Sequence, residues 1–194
     1  MESLPTFGQL HRLARDSKEL SNSDRRIRLA IGGPGNVSVL DTGLRFFLGS
    51  FGITADLAVF PYESWMDSAT TGAEFDYYVL WLSTYGLSDG GLKHPIINEP
   101  FLRHWIRDTT RSGCQLITIE PESSVFESSA NSTFYQNRFA VIKTLRDLSL
   151  NSNAQLSFEQ MVANIGLTEW DPGVYWEHAL YPVHPAASVQ LSHH

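Results

Sequence analysis

A strand, a glycine-rich turn and an amphipathic helix follow one another within residues 25–52, and this order restricts the fold more than any other stretch. Residues 28–31 end in apolar side chains, and the next five residues, Gly-Gly-Pro-Gly-Asn, are typical of a tight turn. Gly49 and Gly52 mark the expected end of the helix. The helix is predicted because apolar residues recur at three- and four-residue steps, as one helix face requires: Val37, Leu40, Leu44, Phe47, Leu48 and Phe51.

The turn at residues 32–36 is the first candidate site. In an open α/β sheet, ligands bind outside the carboxyl end of the first strand. The helix that follows the turn is expected to offer unpaired N–H groups at its N-terminus to an anion or oxyanion.

The remainder of the chain alternates predicted strands with predicted helices at spacings of about 25 to 40 residues, which implies right-handed βαβ crossovers and a mostly parallel sheet. We therefore predict an α/β fold, a three-layer αβα sandwich of the flavodoxin-like type. It forms a single domain over residues 1–194, with an N-terminal helix and linker at 1–24 and a loop-rich tail at 168–194. The further strands are expected at residues 55–60, 75–83 and 115–119, and the further helices at 6–20, 100–112, 134–148 and 158–165.

Composition excludes several classes of partner. The net charge of −7 and the pI near 5.4 argue against nucleic acids and anionic membranes, since both require a basic face. The N-terminal segment has no apolar core typical of a signal peptide, and no run approaches the ~18 apolar residues that span a membrane. Cys114 is the only cysteine, so no internal disulfide is possible. We expect a cytoplasmic protein.

In the predicted sheet, a site would be assembled from the loops at residues 32–36, 61–67, 83–89 and 120–124, and the C-terminal tail would bring in a histidine. This layout resembles that of the GDSL-like (SGNH) hydrolases. The tail segment Tyr-Pro-Val-His-Pro-Ala-Ala at residues 181–187 resembles their last sequence block, in which His-Pro and small residues open a final helix. The resemblance implies an SGNH-like fold.

The sequence resembles one branch of that superfamily more closely than the others. The segments IRLAIGGPGN, LRFFLGSFGITADLAVFPYESW, FDYYVLWLS and LSFEQMVANIGLTEWDPGVYW, followed by YPVHPAA, resemble the N-terminal SGNH-like domain of FkbH-like proteins over residues 5–190. In that family the domain precedes a HAD-type catalytic domain, associated with loading a glyceryl or related acyl unit onto a carrier protein in polyketide pathways. The resemblance therefore implies an acyl carrier protein or a HAD-type domain as partner. No Asp-x-Asp motif ends a predicted strand, so we expect a stand-alone relative or a piece of a longer protein.

The catalytic positions of the superfamily are poorly matched. Its nucleophilic serine directly follows the first strand, where this chain has Pro34, which has neither a hydroxyl nor an N–H group. The glycine expected after the second strand corresponds to Glu63. Ser83 and Thr84 stand where an asparagine is expected after the third strand. His184 matches the late histidine, although Tyr181 replaces the aspartate before it.

Three hypotheses follow. The first is a degenerate SGNH-like domain that holds an acyl-type substrate or docks a carrier protein or HAD-type domain. Its substrate-binding positions would be Gly33, Pro34, Gly35, Asn36, Glu63 and Thr84. The second is an active ester or thioester hydrolase or acyltransferase, with Ser38 or Ser83 as nucleophile and His184 as base. The third is a nucleotide-binding enzyme that uses the Gly33-x-Gly35 turn, with Glu63 near the ribose.

No cofactor is expected, and no metal, because Asp171, Glu177 and His178 fit no known ligand spacing. Cys114 precedes a predicted buried strand and is interpreted as a small core residue. The aromatic residues of the tail are interpreted as core and rim packing, with a pocket or partner groove as the alternative.

Overall fold

The computed structural model describes residues 5–16, 25–62, 64–67, 74–82, 99–111, 113–119, 143–144, 147, 154–156, 187–189 and 192. Within them, five strands form one sheet in the order β2-β1-β3-β4-β5, and every neighbouring pair is parallel. This confirms the predicted α/β fold with its flavodoxin-like strand order. The strands are β1 Arg25–Gly33, β2 Ile53–Pro61, β3 Tyr77–Trp81, β4 Gln115–Ile119 and β5 Ala154–Leu156.

The helices lie between these strands. Residues Val37–Leu40 form a 3-10 turn directly after β1, and the labelled helices are α1 Phe7–Asp16, α2 Asp41–Ser50, α3 Ser64–Asp67 and α4 Glu99–Arg111. Residues 187–189 and 192 are also helical, as the small residues after His-Pro predicted. The predicted helix at 158–165 and most of that at 134–148 lie outside the described residues.

Two apolar clusters cover the two faces of the sheet, because successive residues of a strand point to opposite faces. Leu29 and Ile31 of β1 belong to the cluster that includes the 3-10 turn and Ala187. Ala30 belongs to the opposite cluster, which includes Trp65 of α3 and Trp105 of α4. The last five residues of β1 are all buried, although their side chains point alternately to the two faces of the sheet. Both faces are therefore covered, as the predicted three-layer sandwich requires.

Several boundaries differ from the sequence prediction. β1 and β2 extend beyond the predicted residues at both ends, because each continues a parallel ladder of nine residue pairs from Arg25↔Ile53 to Gly33↔Pro61. β5 is missing from the prediction, since three residues carry no periodic signal. The helix ends are as predicted: Gly52 has φ +69° and Gly113 has φ +90°, the left-handed conformation that favours glycine.

An ion pair joins the middle of β1 to the start of β3. The Arg28 backbone N–H donates to Asp76 Oδ2 at 2.7 Å, and the Arg28 guanidinium donates to Asp76 Oδ1 at 3.2 Å. The Asp76 N–H in turn donates to the Arg28 carbonyl at 2.9 Å. The backbone and side-chain hydrogen bonds from Arg28 lower the pKa of the Asp76 carboxyl.

This lowered pKa predicts a pH-dependent contribution to stability. A carboxyl whose folded pKa lies below its unfolded value of about 3.9 stabilises the fold above that pH and loses the effect as the pH falls through the folded value. We expect Asp76→Asn to be less stable than the wild type at pH 7, and the two to converge during acidification below about pH 4. Urea unfolding at pH 7, 5, 4 and 3 measures this, with Glu74→Gln as the neighbouring control. Parallel stability curves for wild type and Asp76→Asn would contradict it.

Candidate functional site

The turn after β1 is closed by its own hydrogen bonds. Pro34 and Gly35 are buried, Asn36 is half-buried and Ser38 is exposed. The Gly35 carbonyl accepts hydrogen bonds from the N–H of Val37 at 3.0 Å and from that of Tyr62, after β2, at 3.3 Å. The structure thus ties the ends of β1 and β2 together through one carbonyl group.

The start of the helix differs from the sequence prediction of unpaired N–H groups. Val37 N–H donates to Gly35, and Ser38 N–H donates to Asn36 Oδ1 at 3.3 Å. Asn36 therefore acts as a side-chain cap, as Asn commonly does at a helix start. The prediction of unpaired N–H groups is therefore wrong for Val37 and Ser38, and an incoming anion would have to displace Asn36 from Ser38.

Ser38 is the one candidate nucleophile among the described residues. Its hydroxyl donates to Asn36 Oδ1 at 2.5 Å and its side chain faces solvent. An amide oxygen accepts a hydrogen bond but does not take a proton at neutral pH, so Asn36 cannot act as the general base. His184, Ser83, Glu63 and Thr84 lie outside the described residues, and their roles stay predictions.

The glycines at the end of β1 are explained by close packing. A Cβ atom at Gly33 would lie 2.1 Å from the carbonyl oxygen of Trp81 and 3.1 Å from the Val37 side chain. A Cβ atom at Gly32 would lie 2.0 Å from the Tyr78 hydroxyl. Both glycines are needed for the approach of β3 and its side chains. Gly33, the first glycine of the nucleotide hypothesis, thus has a packing reason that involves no ligand.

Tyr62 is a feature that the sequence reasoning missed. Its φ of 54° places a non-glycine residue in the left-handed region at the carboxyl end of β2. Such a conformation costs on the order of 1 kcal/mol and persists only where the surroundings hold it. Here the hydrogen bond from the Tyr62 N–H to Gly35 does so. No glycine or asparagine signals this conformation in the sequence, so only the structure reveals it.

One cavity that the described residues line lies away from the turn after β1. It has a volume of about 600 Å³ and lies beside the middle of β1 and β2 and before β3, away from the carboxyl ends of the strands. Its two arginines already have partners: Arg28 pairs with Asp76, and Arg45 contacts Asp41 at 2.8 Å. Arg45 also donates to the carbonyls of Ala55 and Leu57 in β2, the last strand of the described sheet on that side.

The other reactive groups are buried or dispersed. Burial, and to a lesser extent the charge of Asp76, raises the pKa of the Cys114 thiol to about 11, which makes it a poor nucleophile at neutral pH. Across the part of the chain that the structure describes, no group of three His, Cys, Asp or Glu side chains could hold a metal ion. The described helices are all too short or too polar to span a bilayer.

Comparison with solved structures identifies the fold. Over 98% of its length, the chain matches 55% of the N-terminal part of protein BF1531 from Bacteroides fragilis, with a TM-score of 0.74 and 15% identity. The chain shares the α/β fold of that structure. That BF1531 structure is described as containing a phosphatase domain complexed with Mg. No protein-family model and no curated protein sequence matches the chain.

Two other structures extend the comparison. The structure of protein YXIM from Bacillus subtilis aligns with 88% of this chain, and the aligned part is 55% of the YXIM chain; the TM-score is 0.55 and the identity 12%. A putative acylhydrolase, BF3764 from Bacteroides fragilis, covers 96% of the chain and 93% of its own, with a TM-score of 0.49 and 11% identity. The chain therefore spans about half the length of the first two structures. At these identities the likeness to the first two structures establishes the α/β fold alone, because one fold serves many functions.

Proposed function

We propose that this SGNH-like domain does not hydrolyse esters and instead binds or docks a partner in an acyl- or glyceryl-transfer system of FkbH-like type. The observation that carries the proposal is the buried Pro34 directly after β1. An SGNH hydrolase needs a hydroxyl at that position to attack an acyl carbon, and proline supplies neither a hydroxyl nor an N–H donor.

The hydrogen bonds around the turn support the same proposal. Oxyanion stabilisation requires donors that are free to reach the developing charge. The N–H groups of Val37 and Ser38 already donate to Gly35 and Asn36. The hydroxyl of Ser38 is likewise bound to Asn36. The turn therefore has no hydroxyl at position 34, and these three donors near it already have acceptors.

A structural neighbour supports the choice of a HAD-type domain as partner. The BF1531 structure, of which the chain matches 55%, is described as containing a phosphatase domain. A fold similar to that of this chain thus occurs in a longer chain described as containing a phosphatase domain. We propose a HAD-type catalytic domain or an acyl carrier protein as partner, and the cytoplasm as the compartment.

We expect no ester hydrolysis by the purified protein. Turnover of p-nitrophenyl acetate and butyrate should equal that of buffer, and a fluorophosphonate probe should leave the protein unlabelled, because Pro34 cannot form a covalent intermediate. An active SGNH esterase assayed in parallel serves as the positive control. Labelling that disappears in Ser38→Ala, Ser83→Ala or His184→Ala would refute the proposal and establish a rearranged hydrolase centre.

The docking role has its own assay. The probes are a recombinant HAD-type domain from an FkbH-like protein and a phosphopantetheinylated acyl carrier protein, each titrated against the full chain in a calorimeter. Saturable binding of either probe supports the docking role, with serum albumin as the control for non-specific association. Absence of binding by both probes would overturn the docking role, whatever the outcome of the esterase assay.

A further inference from the structure

One face of α4 concentrates positive charge in an acidic protein. Arg103, Arg107 and Arg111 follow one another at four-residue steps, and His104 lies beside them. With a rise of 1.5 Å per residue, these arginines form a stripe about 12 Å long, called here the α4 arginine stripe. The whole chain has a net charge of −7 and 14 Lys and Arg residues in total, so three arginines on one helix face form a local reversal of charge.

Packing on the opposite side of α4 fixes the orientation of the stripe. Leu102, Trp105, Ile106 and Thr109 are all buried against the sheet. The stripe consequently faces outwards, and the exposed side-chain fractions are 72% for Arg107, 64% for His104 and 41% for Arg103. A change of conformation is not needed to present it to a partner.

Short contacts hold the stripe in place, and they include a carboxylate beside Arg107, whose Nε lies 3.6 Å from Asp108 Oδ1. The Arg107 guanidinium donates to His104 Nδ1 at 2.9 Å, and His104 Nε2 lies 3.0 Å from Asp108. Arg103 reaches Asp147 at 3.5 Å. Exposed pairs of this kind contribute only about 0–1 kcal/mol, so a partner's carboxylates can replace them.

Arg111, at the end of the helix, pairs with no carboxylate of the described residues. Its exposed guanidinium can form an ion pair with a partner. Arginine suits this role because its planar guanidinium donates two parallel hydrogen bonds to a carboxylate.

We infer that the α4 arginine stripe is the surface on which an acidic helical face of a partner protein docks. This rests on the proposed docking function and names the chemistry of the contact. Carboxylates at i and i+4 of a partner helix match the spacing of the arginines, and complementary charge orients the encounter. A nucleic acid fits less well, because a phosphate backbone needs a broad basic surface, whereas Asp108 and Asp147 border this narrow stripe.

The test uses the full chain and an acidic acyl carrier protein as the probe. Binding is measured by calorimetry at 50 and 300 mM NaCl for wild type and for the double variant Arg107→Glu/Arg111→Glu. The matched control is Arg25→Glu/Arg26→Glu, which changes the net charge equally at the exposed start of β1. We expect the α4 variant to bind at least tenfold more weakly at low salt, and the control to change less than twofold.

Three other results of this experiment would each overturn the inference. Equal weakening in both variants means that net charge, and not the stripe, drives binding, and overturns the inference. Unchanged binding in the α4 variant also overturns it, yet leaves the docking function intact. If the wild type does not bind the carrier protein, the inference is overturned. The titration with the HAD-type domain then still tests the docking function. Arg107→Gln/Arg111→Gln, with unchanged circular dichroism, keeps the test valid if the charge reversal unfolds the helix.

Discussion

Replacing Gly33 with alanine is expected to destabilise the protein by about 3 kcal/mol or more, the upper end of the cost of overpacking a close-packed interior. The added methyl group would lie 2.1 Å from the carbonyl oxygen of Trp81. That oxygen belongs to the backbone of β3, so it cannot rotate away as the end of a side chain could. Relief requires the separation of β1 from β3 at the point where both strands are buried.

Urea unfolding of Gly33→Ala, followed by far-UV circular dichroism, measures this effect. The control is Gly49→Ala in α2, where no atom lies within 4 Å of the added methyl group. Because alanine is the better helix former, that variant should be unchanged or more stable by up to about 1 kcal/mol. A Gly33→Ala protein with wild-type stability would show that the β1–β3 approach is looser than described.

The second large effect is expected from Trp105→Ala, with a loss of about 3–5 kcal/mol, as for other buried aromatic side chains. Trp105 is only 2% exposed and packs edge-to-face on Trp65 at 5.5 Å and on Tyr78 at 5.0 Å between ring centroids. Its indole N–H also donates to the Trp65 carbonyl at 3.0 Å. It therefore joins α4, α3 and β3, and alanine would leave a cavity among all three.

A graded series separates packing from the hydrogen bond. Trp105→Phe keeps an aromatic ring but loses the indole N–H, so we expect an intermediate loss of about 1–2 kcal/mol. Urea unfolding by circular dichroism measures both variants without relying on the fluorescence of the residue that is removed. Equal stability of the alanine and phenylalanine variants would mean that ring packing contributes little, against the arrangement described here.

These two sites also bear on the proposed function. Gly33 lies in β1 and Trp105 packs on Tyr78 of β3, and neither residue carries a catalytic group. Gly33, the first glycine of the suggested ligand turn, serves the contact with β3. The proposal of a docking domain therefore depends on Pro34, and the further inference depends on the surface of α4; the esterase and binding assays test the two separately.

Local patterns determined much of the secondary structure. β4 has the predicted bounds, Gln115–Ile119, and the left-handed glycines after α2 and α4 lie where the helix ends were expected. Each of these features depends on residues close together in the chain. For the same reason the prediction missed β5, whose three residues form a strand only because β4 pairs with them.

By itself the sequence determined a parallel α/β sheet, because apolar strands and amphipathic helices alternate, and it placed a proline directly after the first strand. The tertiary structure decided what surrounds that proline. It set Gly33 against the backbone of Trp81, 48 residues further along, and joined Tyr62 to Gly35. It also gathered the arginines of α4 on the outer face. Such contacts join residues far apart in the chain or depend on which helix face is buried, so periodicity within one segment does not contain them.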